Sequence, residues 1–172
     1  GEVTLPTGTE FGATEVGGLS GLAYDPGRGV YYALSDDRSA IDPARFYTLS
    51  IDLSDGSLDA GDVQILDVTT LLDETGNPFP DLSLDPEGIA YSSIGTLFIS
   101  SEGDANAGID PFISEFSLTG EFIRSLPVDD KFLPTDDQSS GIRQNLAFES
   151  LTLTPNQKVL YTATENALYP DG

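Results

Sequence analysis

Carboxylates carry most of the chemistry this sequence can offer. The chain has 172 residues, with 29 Asp and Glu against 7 Lys and Arg, and it contains neither Cys nor His. Those absences remove whole classes of mechanism: no thiolate nucleophile or Cys-ligated metal, and within this chain no imidazole base, Ser-His-Asp triad or His-ligated zinc. No G-x-S-x-G elbow is present, so nothing supports an α/β-hydrolase serine esterase. A net charge of −22 repels a phosphate backbone, which argues against a nucleic-acid partner, and it disfavours anionic membrane surfaces. No window approaches the roughly 20 apolar residues of a membrane span. A surplus of carboxylates suits a hard divalent cation. Calcium accepts about 6–8 oxygens in flexible geometry, whereas magnesium keeps more of its water, so calcium is the expected ion.

The acids recur in a pattern. Residues 35–43 read SDDRSAIDP and residues 101–111 read SEGDANAGIDP. Around them, SGLAYDPGRGVYYALSDD (20–37) matches EGIAYSSIGTLFISSEG (87–103), and both match ESLTLTPNQKVLYTATEN (149–166). Anchored on Leu22, Ile89 and Leu151, the matches are offset by 67 and 62 residues. In register, Ser20, Glu87 and Glu149 fall at the start of one segment, and Asp36, Glu102 and Glu165 at the end of the next. Asp37 and Asp104 follow closely. The expected metal ligands are therefore Asp36, Asp37, Glu87, Glu102, Asp104 and Glu149, with Glu165 as a further ligand or a base. Asp104, Asn106, Asp110 and Glu115 also fit an EF-hand count, but Gly108 and Ile109 break its fifth and sixth positions, so that match is taken as accidental.

The elements that must position these acids read as short strands. Gly and Pro (18 and 11 residues) punctuate segments rich in β-branched and aromatic residues, with no long helical periodicity. GLAYDPGRGVYYALS reads as strand, turn, strand. RFYTLSIDL places Tyr47, Leu49, Ile51 and Leu53 on one face, as a half-buried strand would, and VQIL is a fourth. The second unit continues with FISEFSL and FIRSLPV around a turn at Gly120. Units of about four strands, each with a long loop after its second, are the mark of an all-β propeller blade. A β-sandwich also has closely spaced strands, but it predicts no threefold recurrence of acids at strand ends. One partial propeller domain is expected over 1–172, with units at about 17–80, 81–143 and 144–172, the last incomplete. The complete ring would have roughly six blades. Its remainder is expected on a further, C-terminal fragment, because an open arc would leave strand edges unpaired. The N-terminal EVTLPTGTEFG is expected to close the final blade. Because antiparallel strands bring the start of the first beside the end of the second, the recurrent acids should share one rim of the ring.

Basic residues are few enough to weigh singly. Arg38, after Asp36-Asp37, and Arg143, before Glu149, are the candidates to hold a phosphate beside a metal, or else to neutralise a neighbouring carboxylate. The aromatic residues Tyr24, Tyr31, Tyr32, Tyr91, Phe98 and Tyr161 are expected in the core.

At these residues the sequence resembles the phytase-like proteins, also described by an esterase-like activity of phytase, found mainly in bacteria. SGLAYDPGRGVYYALSDDR, DPEGIAY…LFISSEGD and RQNLAFESLTLTPNQKVLYTATENAL carry the resemblance, from about residue 17 onward. It implies a secreted or periplasmic propeller with an acidic phosphoesterase or phosphodiesterase site. By motif, that site falls on Asp36, Asp37, Arg38, Glu87, Glu102, Arg143, Asn145 and Glu149. Ala147 and Ser150 stand where the family usually has Gly around its third motif. The function expected is a calcium-dependent hydrolase of small phosphate esters, with catalytic roles for Glu165, Arg38 and Arg143. The alternatives are a calcium propeller acting on lactones or carboxylic esters, and a calcium-stabilised scaffold that binds a partner or sugar.

Overall fold

A computed structural model describes residues 1–135 and 137–171. A short hairpin, β1 (Glu10–Phe11) and β2 (Thr14–Glu15), precedes two four-stranded antiparallel meanders. The first is β3 (Leu19–Asp25), β4 (Val30–Ser35), β5 (Arg45–Ile51) and β6 (Val63–Thr70). The second is β7 (Pro86–Ser92), β8 (Thr96–Ser101), β9 (Phe112–Ser117) and β10 (Phe122–Ser125). A hairpin of β11 (Phe148–Leu153) and β12 (Leu160–Thr164) begins a third unit. The first strands of the three units lie side by side, β3 against β7 and β7 against β11. Two blades and the inner half of a third, arranged around their innermost strands, make a partial β-propeller.

Burial explains why these strands depart from simple alternation. Tyr47 and Leu49 of β5 enter a core under the N-terminal segment, with Val16, Leu5 and Phe11. Phe46 of the same strand faces the opposite way, into the core between the two blades, with Tyr32, Leu34, Leu97, Ile99 and Phe116. The half-buried strand expected at 45–53 is thus covered on both faces, because a blade is packed between neighbours. The N-terminal hairpin lies over the free face of the first blade, where the Tyr47 hydroxyl donates to the Glu15 carbonyl at 2.7 Å. Of the six aromatic residues assigned to the core, Tyr32 and Phe98 are 1 % and 8 % exposed, but Tyr24 and Tyr161 are 48 % and 59 % exposed. Both of the latter lie on strands that border the open ends of the arc.

The innermost strands approach closely enough to demand glycine. A Cβ on Gly21 would sit 2.8 Å from the Glu87 carbonyl oxygen, and one on Gly88 would sit 2.9 Å from the Leu151 amide nitrogen. Ser150 occupies the equivalent place in the third unit and is exposed. The seams are also stitched by hydroxyls: Ser20 Oγ donates to the Glu87 carbonyl at 2.9 Å, and Ser100 Oγ to the Phe148 carbonyl at 3.1 Å.

A candidate metal centre on the propeller rim

The same backbone contact recurs at the rim in each unit. Asp36 N–H donates to the Gly18 carbonyl at 2.7 Å, Glu102 N–H to Asp85 at 2.8 Å, and Glu165 N–H to Ala147 at 2.9 Å. The acceptors are offset by 67 and 62 residues, as in the sequence matches. Each bond ties the exit of a second strand to the residue just before a first strand, which is why acids distant in sequence share one rim.

Five carboxylates gather there. Oxygens of Asp85, Glu87 and Glu102 lie within 4.8 Å of one another, and so do those of Glu102, Glu149 and Glu165. Glu102 belongs to both groups. It is 1 % exposed; one oxygen accepts the Ala147 N–H, and the other, Oε2, is buried and has no donor when the neighbouring carboxylates are ionised, although the side chain can share a proton with Glu149. Burying a carboxylate oxygen without a partner costs on the order of 1–3 kcal/mol, so the site is built for something more than its own side chains. Burial, then the charges of Glu149, Asp85, Asp36 and Glu102, pushes Glu87 up to about 8. Burial pushes Glu102 up to about 7, against the Ala147 N–H and with Glu149 and Asp85 adding to the rise. Burial likewise raises Asp85 to about 6, with Arg38 opposing. Glu149 is raised by burial and then by Glu165. Clustered carboxylates that resist ionisation, one of them with an unsatisfied oxygen, fit a divalent cation.

Several expected ligands are placed elsewhere. Asp37 accepts from the backbone N–H groups of Ala40, Ile41 and Asp42 at 2.8–3.2 Å. It also pairs with Arg45 at 2.8 Å. Although burial pulls the other way, these partners hold Asp37 below the ordinary carboxylate range. Arg45, only 2 % exposed, also donates to the Tyr47 hydroxyl and the Glu15 carbonyl, so the pair fixes the loop after β4. Asp104 accepts Asn106 and Ala107 N–H of its own loop and pairs with Arg38 at 2.7 Å. Neither aspartate belongs to the two carboxylate groups, and Asp36 stands beside them: it is exposed, and its pKa is raised by burial and then by Asp37. The Asp36 carboxylate occupies the space above Gly18, which a side chain there would fill. The EF-hand count fails as expected, since Glu115 lies in β9 and pairs with Arg124 at 2.7 Å.

The two arginines are differently engaged. Arg38 reaches from the first blade to the second, 2.7 Å from Asp104 and 3.5 Å from Asp85, and so borders the carboxylates directly. Arg143 donates through Nε to the Ala167 carbonyl at 2.9 Å and lies over the Tyr169 ring at 4.7 Å. Asn145 takes a positive φ of 55° in the loop before β11. Asp85 is the residue missed from sequence. Its repeat equivalents are Gly18 and Ala147, so no recurrence marks it, but its place two residues before Glu87 puts both side chains on one side of the chain.

A chain whose antiparallel blades gather acids along one rim is a partial β-propeller. It belongs to the phytase-like family: the family model described as "Esterase-like activity of phytase" matches residues 14–172. A protein of Arthroderma benhamiae described as an uncharacterized secreted protein is 25% identical over 114 residues, covering 53% of this chain and 21% of that protein. The periplasmic gluconolactonase of Pseudomonas aeruginosa superposes with a TM-score of 0.49 at 13% identity, over 88% of this chain and 38% of its own. The chain thus spans about a fifth of the length of the curated relative it matches. The location outside the cytoplasm expected from sequence is that of the secreted relative, and no helix among the described residues is long and apolar enough to cross a membrane.

Proposed function

We propose that this chain supplies the metal-binding rim of a secreted, calcium-dependent phosphate-ester hydrolase. The observation that carries the proposal is Glu102: a carboxylate 1 % exposed, with an oxygen that has no donor when its neighbours are ionised, among four other carboxylates. All the donors are hard oxygens, which favours calcium over softer metals. A bound dication would supply charge neutralisation for a phosphoryl group and a water of lowered pKa. The chain's own residues set the stage for that chemistry. Asp85, Glu87, Glu102 and Glu149 would supply ligands, as would Glu165 at the exposed edge, and Arg38 offers positive charge beside Asp85. Arg143 would hold the substrate's phosphate from the third unit, if it left the Ala167 carbonyl. Further blades would complete the ring, packing on the exposed Leu22 and Tyr24 of the first blade and on Tyr161 of the third unit.

Hydrolysis of model phosphomonoesters and phosphodiesters, measured on the chain together with its completing blades, tests the proposal. Turnover with calcium that is abolished by a chelator and restored by calcium is the expected result. Turnover that survives chelation sinks the metal mechanism. The near-complete burial of Asp85 and Glu102, 4 % and 1 % exposed, favours a second role for the ion as a stabilising staple; a chain that binds calcium tightly yet never hydrolyses an ester is then a scaffold.

A further inference from the structure

We propose that the rim holds two divalent cations that share Glu102, a closed position within the second blade and an open one across the seam to the third unit. This inference rests on the cation-binding role proposed above. Oxygens bound to one calcium at about 2.3–2.6 Å lie no more than about 5 Å apart. Asp85, Glu87 and Glu102 meet that condition, and so do Glu102, Glu149 and Glu165, all within 4.8 Å. The five do not form one group at that spacing; they form two that meet only at Glu102.

Glu102 is suited to be shared. Each carboxylate oxygen has two lone pairs, so the oxygen that accepts the Ala147 N–H retains one, and Oε2 retains both. Carboxylate bridges of this kind hold two metal ions about 3.5–4 Å apart. Charge points the same way. Five ionised carboxylates carry five negative charges. One dication leaves three of these uncompensated around a buried group, while two leave one, which faces Arg38 Nε at 3.5 Å from Asp85.

The two positions differ in access. In the first, Asp85 and Glu102 are buried and Glu87 is half-buried. In the second, Glu149 is half-buried and Glu165 exposed, so water and a substrate oxygen reach it. The closed ion therefore holds the strand ends of the second blade, and the open ion, with three protein ligands and vacant coordination positions, is the one that receives substrate.

Equilibrium dialysis with calcium, read by atomic emission, counts the ions, and europium luminescence lifetimes in water and heavy water count the waters on each. The wild-type chain should bind two ions, one carrying more water than the other. Glu165→Gln and Glu149→Gln should weaken one ion by about 10-fold or more and leave the drier one in place. Glu87→Gln should weaken only the drier one, and Glu102→Gln should weaken both, with circular dichroism confirming that each variant is folded. A single ion in the wild type overturns the two-position inference and leaves the cation-binding role intact; no ion overturns both. Two ions of equal hydration, a Glu102→Gln chain that keeps one ion at wild-type affinity, or a Glu165→Gln chain that loses both, also contradicts the shared, unequal pair. The wild-type count and lifetimes decide the matter even if a variant fails to fold.

Discussion

Glu102 concentrates the conflict between folding and function. As an ionised group without metal it is destabilising, because its second oxygen is buried without a donor and other carboxylates face it. Glu102→Gln keeps an oxygen for the Ala147 N–H and places an amide donor among carboxylates. In calcium-free buffer near pH 8 it should therefore melt higher than the wild type, by an amount corresponding to roughly 1–3 kcal/mol. Calcium affinity should fall by about 100-fold. Opposite changes in stability and affinity separate a ligand from an ordinary core residue. Asp37 should behave in the reverse manner. Its oxygens are spent on Arg45 and three backbone N–H groups, so Asp37→Asn removes the nearer counter-charge of a buried guanidinium and leaves only Asp42 at 3.9 Å. That should cost about 3–5 kcal/mol in chemical denaturation without changing the number of calcium ions bound. The repeats made Glu87, Glu102, Glu149 and Glu165 legible, because recurrence at strand ends has a geometric cause. They gave no sign of Asp85, which recurs nowhere, nor of the loop N–H groups that donate to the carboxylates of Asp37 and Asp104. Arg45, the partner that reveals the role of Asp37, lies eight residues further on in β5, a pairing no local pattern announces.

At the scale of elements, the order of the strands was readable because each unit opens with the same hairpin of first and second strands. The 67- and 62-residue offsets reappear as equivalent hydrogen bonds at Gly18, Asp85 and Ala147. What alternation could not show was that β5 is covered on both faces, since packing between blades depends on neighbours that a single strand does not encode. Nor does alternation place the N-terminal segment, expected to close a final blade, over Tyr47 and Leu49 of the first, a position set by a tertiary contact. The close approach of β3, β7 and β11 gives a direct test. Gly88→Ala would press a Cβ against the backbone of Leu151 at 2.9 Å and against Ser100 Oγ at 2.6 Å. It should lower stability by about 1–3 kcal/mol, measured by denaturant titration. Gly76→Ala, in a turn where a Cβ meets nothing within 4 Å, has only its positive φ of 81° to overcome and should cost less.

For the whole molecule, the raised carboxylates make stability fall with pH when no metal is bound. Below about pH 4 these groups are protonated in both folded and unfolded chains, so they contribute no penalty. As pH rises, the unfolded chain ionises first, while Asp85, Glu102 and Glu87 hold their protons until about 6, 7 and 8. The folded state then binds more protons than the unfolded one, and stability declines across that window. Asp37 and Asp104, held low by Arg45 and Arg38 among other partners, act in the opposite sense, and their contribution is lost as pH falls below about 4. Metal-free chain should therefore melt highest near pH 4–5, and saturating calcium should remove the decline between pH 5 and 8. A metal-free melting temperature that rises over that range contradicts the strained carboxylate cluster. The most direct measurement of the central claim is calorimetric titration of calcium into the wild-type chain and into Glu102→Gln at pH 8. Binding by the wild type should be saturable and about 100-fold weaker in the variant; equal binding by the two, or none by the wild type, rules out Glu102 as a ligand of a bound ion.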